Sequence, residues 1–435
     1  MKNYSRKKNN YINIKLAIFS AFVLLGFTTA ILSINLIHFM PNIAIIGNDS
    51  IEFNVKNSAV WNSPITISGT SGWSSAQSSG FVSAGDGSLD DPYIIENHVI
   101  DLQGVDGIGL TIENSDEYFI IRNCVFKNIG SSASAGIDMQ NVKNGKIINN
   151  ACSYHIGTGI YVGTRCQFIM VSGNIVNYNN RGIWVINATD NIITGNTAVL
   201  GNNIGIMVDD SDNNIISSNT ISNCQYGIYL STFSENHCDN NVIVDNTITN
   251  CTLVEGNSHG IYIGISYSNI NYNLVYRNVI QQNEWGISLF APYNDIIGNT
   301  ISSNYEDGII TGYGTDHNKI IGNVIEYNNK SGIFIRGTES YPCENNLIGQ
   351  NVINYNSKYG ILIDWGTNNM ITGNSLTGNT NGIHENSNCI NQNYIYENVY
   401  PAPGLSLVQI LIIGGIIVGV IVVIVTVGII IKKRH

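Results

Sequence analysis

A Gly-Ile pair, in most copies followed two residues later by another aliphatic, returns along most of the chain. It stands at Gly136, Gly159, Gly182, Gly205, Gly227, Gly260, Gly286, Gly308, Gly332, Gly360 and Gly382, after a weaker first member, Gly109-Leu110-Thr111-Ile112. Six of the ten intervals are 22 or 23 residues. A period of that length means one small unit copied many times, and such a unit cannot bury its own apolar face without neighbours. The chain is therefore a stacked array rather than a set of globular domains, although its 435 residues would suffice for two or three of those.

Each period carries more than the Gly-Ile strand. An Asn-x-aliphatic cluster recurs at Asn150, Asn174, Asn196, Asn219, Asn246, Asn278, Asn299, Asn323, Asn351 and Asn374. A third apolar patch precedes it, as in Asn191-Ile192-Ile193, Asn214-Ile215-Ile216, Asn346-Leu347-Ile348 and Asn369-Met370-Ile371. Three short strands separated by Asn, Gly and Ser turns make one triangular coil. Stacked in register at about 4.8 Å, such coils give a right-handed parallel β-helix with three sheets around an isoleucine-filled core. We expect about 11–12 coils, counted from the repeats. In Gly-Ile-x-aliphatic the aliphatics point inward and x points out.

The Asn opening each Asn-x-aliphatic strand should stack on its counterparts, amide to amide, as a ladder along the axis. A second row lies five residues on, at Asn179, Asn283, Asn304, Asn328, Asn356 and Asn379, interrupted by Cys224 and Cys251 in adjacent coils. Those two cysteines should be neighbours, as free buried thiols rather than as a disulfide. Longer intervals mark loops at Ser231–Asn240, Thr252–Ser258 and Arg336–Asn345.

The two ends differ from the middle. Residues 1–47 hold Lys2, Arg6, Lys7, Lys8 and Lys15 and then the apolar stretch Leu16–Phe39, the order of a signal peptide or signal anchor. Leu405–Ile431 is a second apolar run, closed by Lys432, Lys433 and Arg434, and reads as a transmembrane helix with a cytoplasmic basic tail over 432–435. Between them we expect an irregular lead-in over 48–92 that caps the first coil, the repeats over 93–398 and a stalk over 399–404 that contains Pro401 and Pro403. The repeats would then lie outside the cell membrane.

Eight of the 20 Lys and Arg residues sit in the two tails, leaving 12 against 31 acids in the middle, a surface that will not grip nucleic acid. Eight cysteines lie in the exported part with no CxxC pair, which argues against a structural zinc cluster. Sequons at Asn48, Asn187, Asn250 and Asn329 agree with an external setting.

The succession Asn299-Thr300-Ile301-Ser302-Ser303-Asn304 and then Gly308-Ile309-Ile310 resembles the NosD-like, carbohydrate-binding-and-sugar-hydrolase type of parallel β-helix, over roughly residues 93 to 398. The lead-in Gly85-Asp86-Gly87-Ser88-Leu89-Asp90-Asp91-Pro92 resembles the entry segment of archaeal surface β-helix proteins. The resemblance implies the fold. It leaves open polysaccharide lyases, epimerases and hydrolases, a copper-maturation factor and non-catalytic surface proteins, because its motifs are core and turn positions.

Chemistry must be sought on the outward rows. The x row reads Asp138, Tyr161, Trp184, Met207, Tyr229, Tyr262, Ser288, Ile310, Phe334, Leu362 and His384. Tyr161, Trp184, Tyr229 and Tyr262 form an aromatic stripe suited to stacking on sugar rings, or simply to laddering with one another. The leading expectation is a non-catalytic binder of polysaccharide or of a cell-surface partner. The alternative is a polysaccharide-active enzyme using His259, Glu306 and Asp307, which fall just before the glycine in nearby coils. A purely structural rod is the third. Asp209, Asp210 and Asp212 share one turn and are the candidate Ca²⁺ ligands, although Asp is also an ordinary turn former. Arg336 and Asp364 should pair across adjacent coils. Eight His and six Met residues give no copper cluster by spacing.

Overall fold

Successive Gly-Ile strands pair in parallel with no slip: Ile160 lies beside Ile183 and Tyr161 beside Trp184, and the same alignment runs on through Met207, Tyr229, Tyr262, Ser288, Ile310, Phe334, Leu362 and His384. In this computed structural model the described residues are 58–130, 134–199, 201–233, 236–264, 269–389 and 393–400. The apolar segments Leu16–Phe39 and Leu405–Ile431, with Asn48, the stalk residues after Tyr400 and the basic tail, lie outside them. Among the described residues no helix is long and apolar enough to cross a membrane.

The chain is an all-β parallel solenoid of about 12 turns with three main parallel sheets. The first and largest sheet holds the Gly-Ile strands, the second has 13 strands drawn from the Asn-aliphatic-Ile patches, and the third has eight drawn from the Asn-x-aliphatic strands. Inward residues of all three meet in one core, where Ile137, Ile160, Ile183, Ile216, Ile248 and Ile301 are fully buried. Isoleucine suits this packing because its branched side chain is stiff and fills the pleat directly above its equivalent in the preceding coil.

Asparagine and the corners explain each other. Ser218, Asp245, Arg277 and Gln350 adopt left-handed backbone conformations, with φ between 54° and 57°, directly before ladder residues Asn219, Asn246, Asn278 and Asn351. Gly173, Gly195, Gly298, Gly322 and Gly373 do so elsewhere in the same row. A tight left-handed corner exposes a backbone N–H that the strands cannot satisfy, and the amide of the next coil accepts it. Thus Oδ1 of Asn299 accepts from the backbone N–H of Asn278 at 2.9 Å and from its Nδ2 at 3.0 Å, while Asn278 Nδ2 also donates to the Ile243 carbonyl at 2.9 Å. The expected ladder is present from Asn150 through to Asn398.

The second row forms as well, and it is longer than the spacing suggested. Asn202 belongs to it, accepting from Asn179 N–H at 2.8 Å, and His155 occupies the position before Asn179. Cys224 and Cys251 interrupt it as expected. Both are buried free thiols, and the Cys251 side chain hydrogen-bonded to Cys224 is the largest cause of the raised Cys224 pKa, followed by burial. A third ladder, which the sequence reading did not foresee, runs through Asn191, Asn214, Asn241, Asn273, Asn294, Asn318, Asn346 and Asn369. All three corners are therefore built alike.

Glycine opens the Gly-Ile strand because nothing larger fits. A Cβ on Gly308 would stand 2.6 Å from Ile325 Cγ2, 2.7 Å from the Gly332 carbonyl oxygen and 2.8 Å from Asn328 Nδ2. We predict that Gly308→Ala lowers stability by roughly 1–3 kcal/mol, because the coil spacing is fixed by hydrogen bonds and cannot yield. An unchanged denaturation midpoint would show that this lane is looser than its geometry.

Between Ala59 and Ser78 the lead-in is regular, which corrects the expectation from sequence for that part; Ser79–Pro92 holds turns and bends with no strand or helix. Ala59–Trp61 and Ile65–Ser68 join the first sheet by pairing with His98–Asp101 and Leu110–Ser115. The helix Gly69–Ser78 then follows. Its sequence is rich in Ser and Gly, weak helix formers, so burial of Trp73 and Ala76 holds it. Trp73 is fully buried, stacks on Tyr93 at 4.7 Å and donates its Nε1–H to Ser115 Oγ at 2.8 Å.

Candidate functional site

The first sheet carries its x row on the outer face, and the aromatic residues there divide into two clusters. In one, Tyr161 meets Trp184 edge to face at 5.1 Å, and the Arg181 guanidinium lies 4.2 Å over the Trp184 ring. Arg181 Nε–H also donates to Met207 Sδ at 3.3 Å, closing the gap that Met207 leaves in the stripe. Trp184 donates its Nε1–H to Asp209 at 2.6 Å.

The other cluster is larger. Tyr229 and Tyr262 meet edge to face at 5.1 Å, Tyr226 stacks on Tyr229 at 5.0 Å, and Phe290 stacks on Tyr262 at 5.3 Å. Tyr226 and Phe290 flank the row rather than belong to it, and a reading of the x positions alone missed them. Phe290 can lie flat because Gly312 is next to it: a Cβ there would stand 1.9 Å from the ring. Tyr161, Trp184, Tyr229 and Tyr262 are each half-buried. Burial pushes the Tyr262 hydroxyl up to about 12 and raises those of Tyr161 and Tyr229, so all three stay protonated donors at neutral pH. The four span four coil steps, about 19 Å at the sheet spacing. Such a surface offers ring edges, partial ring faces and hydroxyl donors along one line.

His259, Glu306 and Asp307 are brought to one neighbourhood, each with partners of its own. His259 is buried between Tyr226 and Trp285, with its Nδ1 2.8 Å from Ser288 Oγ, and burial lowers its pKa to about 3. Asp307 accepts from the Ser331 backbone N–H at 2.6 Å, and burial raises its pKa. Glu306 forms an ion pair with Lys330, whose ammonium sits 5.5 Å over the Trp285 ring. Lys330 is the basic residue that the sequence reading did not find; it lies two residues before Gly332 as Glu306 lies two before Gly308.

The aspartates of the 209–212 turn point apart. Asp209 accepts from Trp184 and Ser231, Asp210 from the Phe233 N–H at 3.1 Å, and Asp212 from the Asp239 N–H at 2.7 Å. Each ties its turn to a neighbouring coil. Among the described residues no group of three or more His, Cys, Asp or Glu side chains is placed to hold a metal ion. The expected Arg336–Asp364 ion pair does not form, although the two residues are in register. Arg336 turns its guanidinium over Tyr313, 4.8 Å from the ring centroid, and Asp364 accepts from Asn388 instead.

The model of the NosD family, described as periplasmic copper-binding protein, matches residues 90–263 and 246–404. Among solved structures, a periplasmic alginate epimerase, AlgG, is 15% identical with a TM-score of 0.50, covering 71% of this chain and 85% of that one. A mannuronan C-5 epimerase A-module from Azotobacter vinelandii is 13% identical with a TM-score of 0.47, covering 77% and 94%. The Dettilon tailspike protein is 16% identical with a TM-score of 0.45, covering 74% and 60%. At 15% identity the likeness to AlgG is one of fold alone. None of the curated proteins matches the chain.

Proposed function

From the premise that the chain belongs to the NosD family, we propose that it is a membrane-tethered, right-handed β-helix that binds polysaccharide on the outer face of its first sheet. The observation that carries the reading is the in-register aromatic row Tyr161, Trp184, Tyr229 and Tyr262, widened by Arg181, Tyr226 and Phe290. Aromatic faces and edges backed by hydroxyl donors suit the apolar faces and hydroxyl rims of sugar rings. Right-handed winding follows from the strong preference of parallel crossovers. The tether rests on Leu405–Ile431 and its basic flank. Nucleic acid is not among the expected ligands of so acidic a middle region.

Copper, which the family description names, does not suit the residues described. The eight cysteines are free and seven of them are buried, and among the described residues no three His, Cys or carboxylate side chains are grouped to hold a metal ion. The binding reading therefore takes no step through a metal.

A glycan array probed with the full chain in detergent, followed by pull-down on the best polysaccharide, tests the proposal. Trp184→Ala with Tyr229→Ala should weaken retention at least tenfold, about 1.4 kcal/mol. Retention that survives both changes would remove the aromatic face from the account. A second reading, a polysaccharide-active enzyme, draws on the Glu306–Lys330 pair beside Asp307. Under that reading the same hits would yield new reducing ends or unsaturated products, and Asp307→Asn would abolish them while leaving retention intact.

A further inference from the structure

The two ends of the solenoid are finished differently. At the first coil the helix Gly69–Ser78 closes the core, and its own Trp73 and the preceding strand residue Ile67 are fully buried. At the last coil, among the described residues, nothing plays that part. Ile395 continues the inward column of the second sheet, pairing with Ile371, yet it is 37% exposed whereas Ile371 is fully buried. Around it Tyr394, Tyr396, Val399 and Tyr400 are exposed as well. Among the described residues no strand pairs with the outer edge of Tyr394–Tyr396, and Asn381–Glu385 likewise ends its sheet.

A solenoid end of this kind needs a cover, since it exposes both core side chains and strand edges. The sequence indicates what the cover is. Leu405, the start of the 27-residue apolar run Leu405–Ile431, comes only five residues after Tyr400, with Pro401 and Pro403 between. A run of that length spans a bilayer, and five residues reach about 17 Å even when fully extended. The open end is thus held within that distance of the headgroup layer. Its exposed residues are three tyrosines and two aliphatics, the amphipathic type that concentrates where water meets the bilayer.

We propose that the bilayer interface itself caps the last coil: Tyr394, Ile395, Tyr396, Val399 and Tyr400 dock into the headgroup region, and the solenoid stands on the membrane by its C-terminal end. The inference rests on the tether proposed above and adds an orientation to it. Tyr262 lies five coil steps and Trp184 eight from His384 in the first sheet, so these two are carried roughly 24 Å and 38 Å from the last coil at the sheet spacing. An upright rod keeps that face clear of the lipid.

The test reconstitutes the full chain into phosphatidylcholine vesicles containing a lipid with a photoactivatable diazirine near its glycerol. Adducts are then mapped by mass spectrometry. We expect adducts in Leu405–Ile431 and also in Tyr394–Tyr400, the latter at least tenfold above those at Tyr272 and Tyr293, equally exposed tyrosines in mid-solenoid. Adducts confined to Leu405–Ile431 would overturn the docking and leave the tether standing. Adducts in neither segment would overturn both. Chain-to-chain cross-links at Tyr394–Tyr400 in place of lipid adducts would mean that a second copy covers the end, which also overturns the proposal.

Discussion

Replacing Asn299 with alanine should destabilise the solenoid by roughly 3–6 kcal/mol, far more than loss of one surface amide. The size comes from what the side chain leaves behind. Asn299 Oδ1 accepts from both the backbone N–H and Nδ2 of Asn278, and its Nδ2 donates to the Val275 carbonyl at 3.0 Å and to Asn323 Oδ1 at 2.9 Å. Asn299 is 1% exposed, so water cannot replace these partners. The Asn278 backbone N–H is then left without an acceptor, at about 1–3 kcal/mol, and the bonds that Asn278 Nδ2, the Val275 carbonyl and Asn323 Oδ1 make to Asn299 are lost at about 0.5–1.5 kcal/mol each. Thr300→Ala, at the exposed neighbouring position, is the control and should cost little. Guanidinium denaturation of both variants in detergent measures the difference. A loss below about 1 kcal/mol at Asn299 would mean that the ladder accompanies coil stacking without sustaining it.

The period made the fold legible because the same physical demand recurs at the same place in every coil. Gly308 and its equivalents mark where backbone meets backbone, and Asn278 and its equivalents mark where a left-handed corner needs an acceptor. The x row could be aligned for the same reason, and its register in the first sheet is as read. What the period does not encode was lost. Asn202 dropped out of the second row because it follows Asn196 by six residues rather than five, the extra residue being absorbed at Gly201 in a left-handed turn. The third ladder was passed over because Asn191 and Asn214 look like ordinary turn residues until the coils are stacked.

Side-chain choices off the repeat were harder still. Register places Arg336 beside Asp364, but register does not fix rotamers, and a tyrosine ring in the 312–315 turn competes for the guanidinium. The helix Gly69–Ser78 has no strong local signal, since it exists to bury Trp73 against Tyr93 and Phe119. In the candidate site, the four row aromatics were visible as a pattern, whereas Tyr226, Phe290 and Lys330 act from flanking positions that only the fold brings alongside.

His155 is where the ladder logic fails within the fold, and its replacement by asparagine should make the protein more resistant to acid. The residue holds the second-row position ahead of Asn179, and its backbone N–H is accepted by Asn179 Oδ1 at 3.1 Å as an asparagine's would be. Its ring is buried and neither nitrogen has a hydrogen-bond partner. Burial drives its pKa down to about 3, and the same cause takes His259 to about 3. A histidine whose folded pKa lies below its unfolded value near 6.5 contributes full stability above that pH. The contribution is lost as pH falls from 6.5 towards 3, up to roughly 4–5 kcal/mol for each ring. Asp138 and Asp209 act oppositely. Burial raises both to about 6, so the folded state takes up their protons first and gains roughly 3 kcal/mol from each as pH falls from 6 to the unfolded value near 4. Over that window the two pairs nearly cancel. Below it the carboxyl gain is complete while the histidine loss continues, so the share of stability set by these four groups should be nearly level to about pH 4 and then fall. In His155→Asn one ring no longer contributes to that drop, and an amide able to bond with Asn179 takes its place. The acid-unfolding midpoint, followed by circular dichroism, should move down by at least half a pH unit, roughly half of the remaining histidine slope. An unmoved midpoint would show that the buried imidazole is satisfied in a way its surroundings do not reveal, and that acid unfolding starts elsewhere.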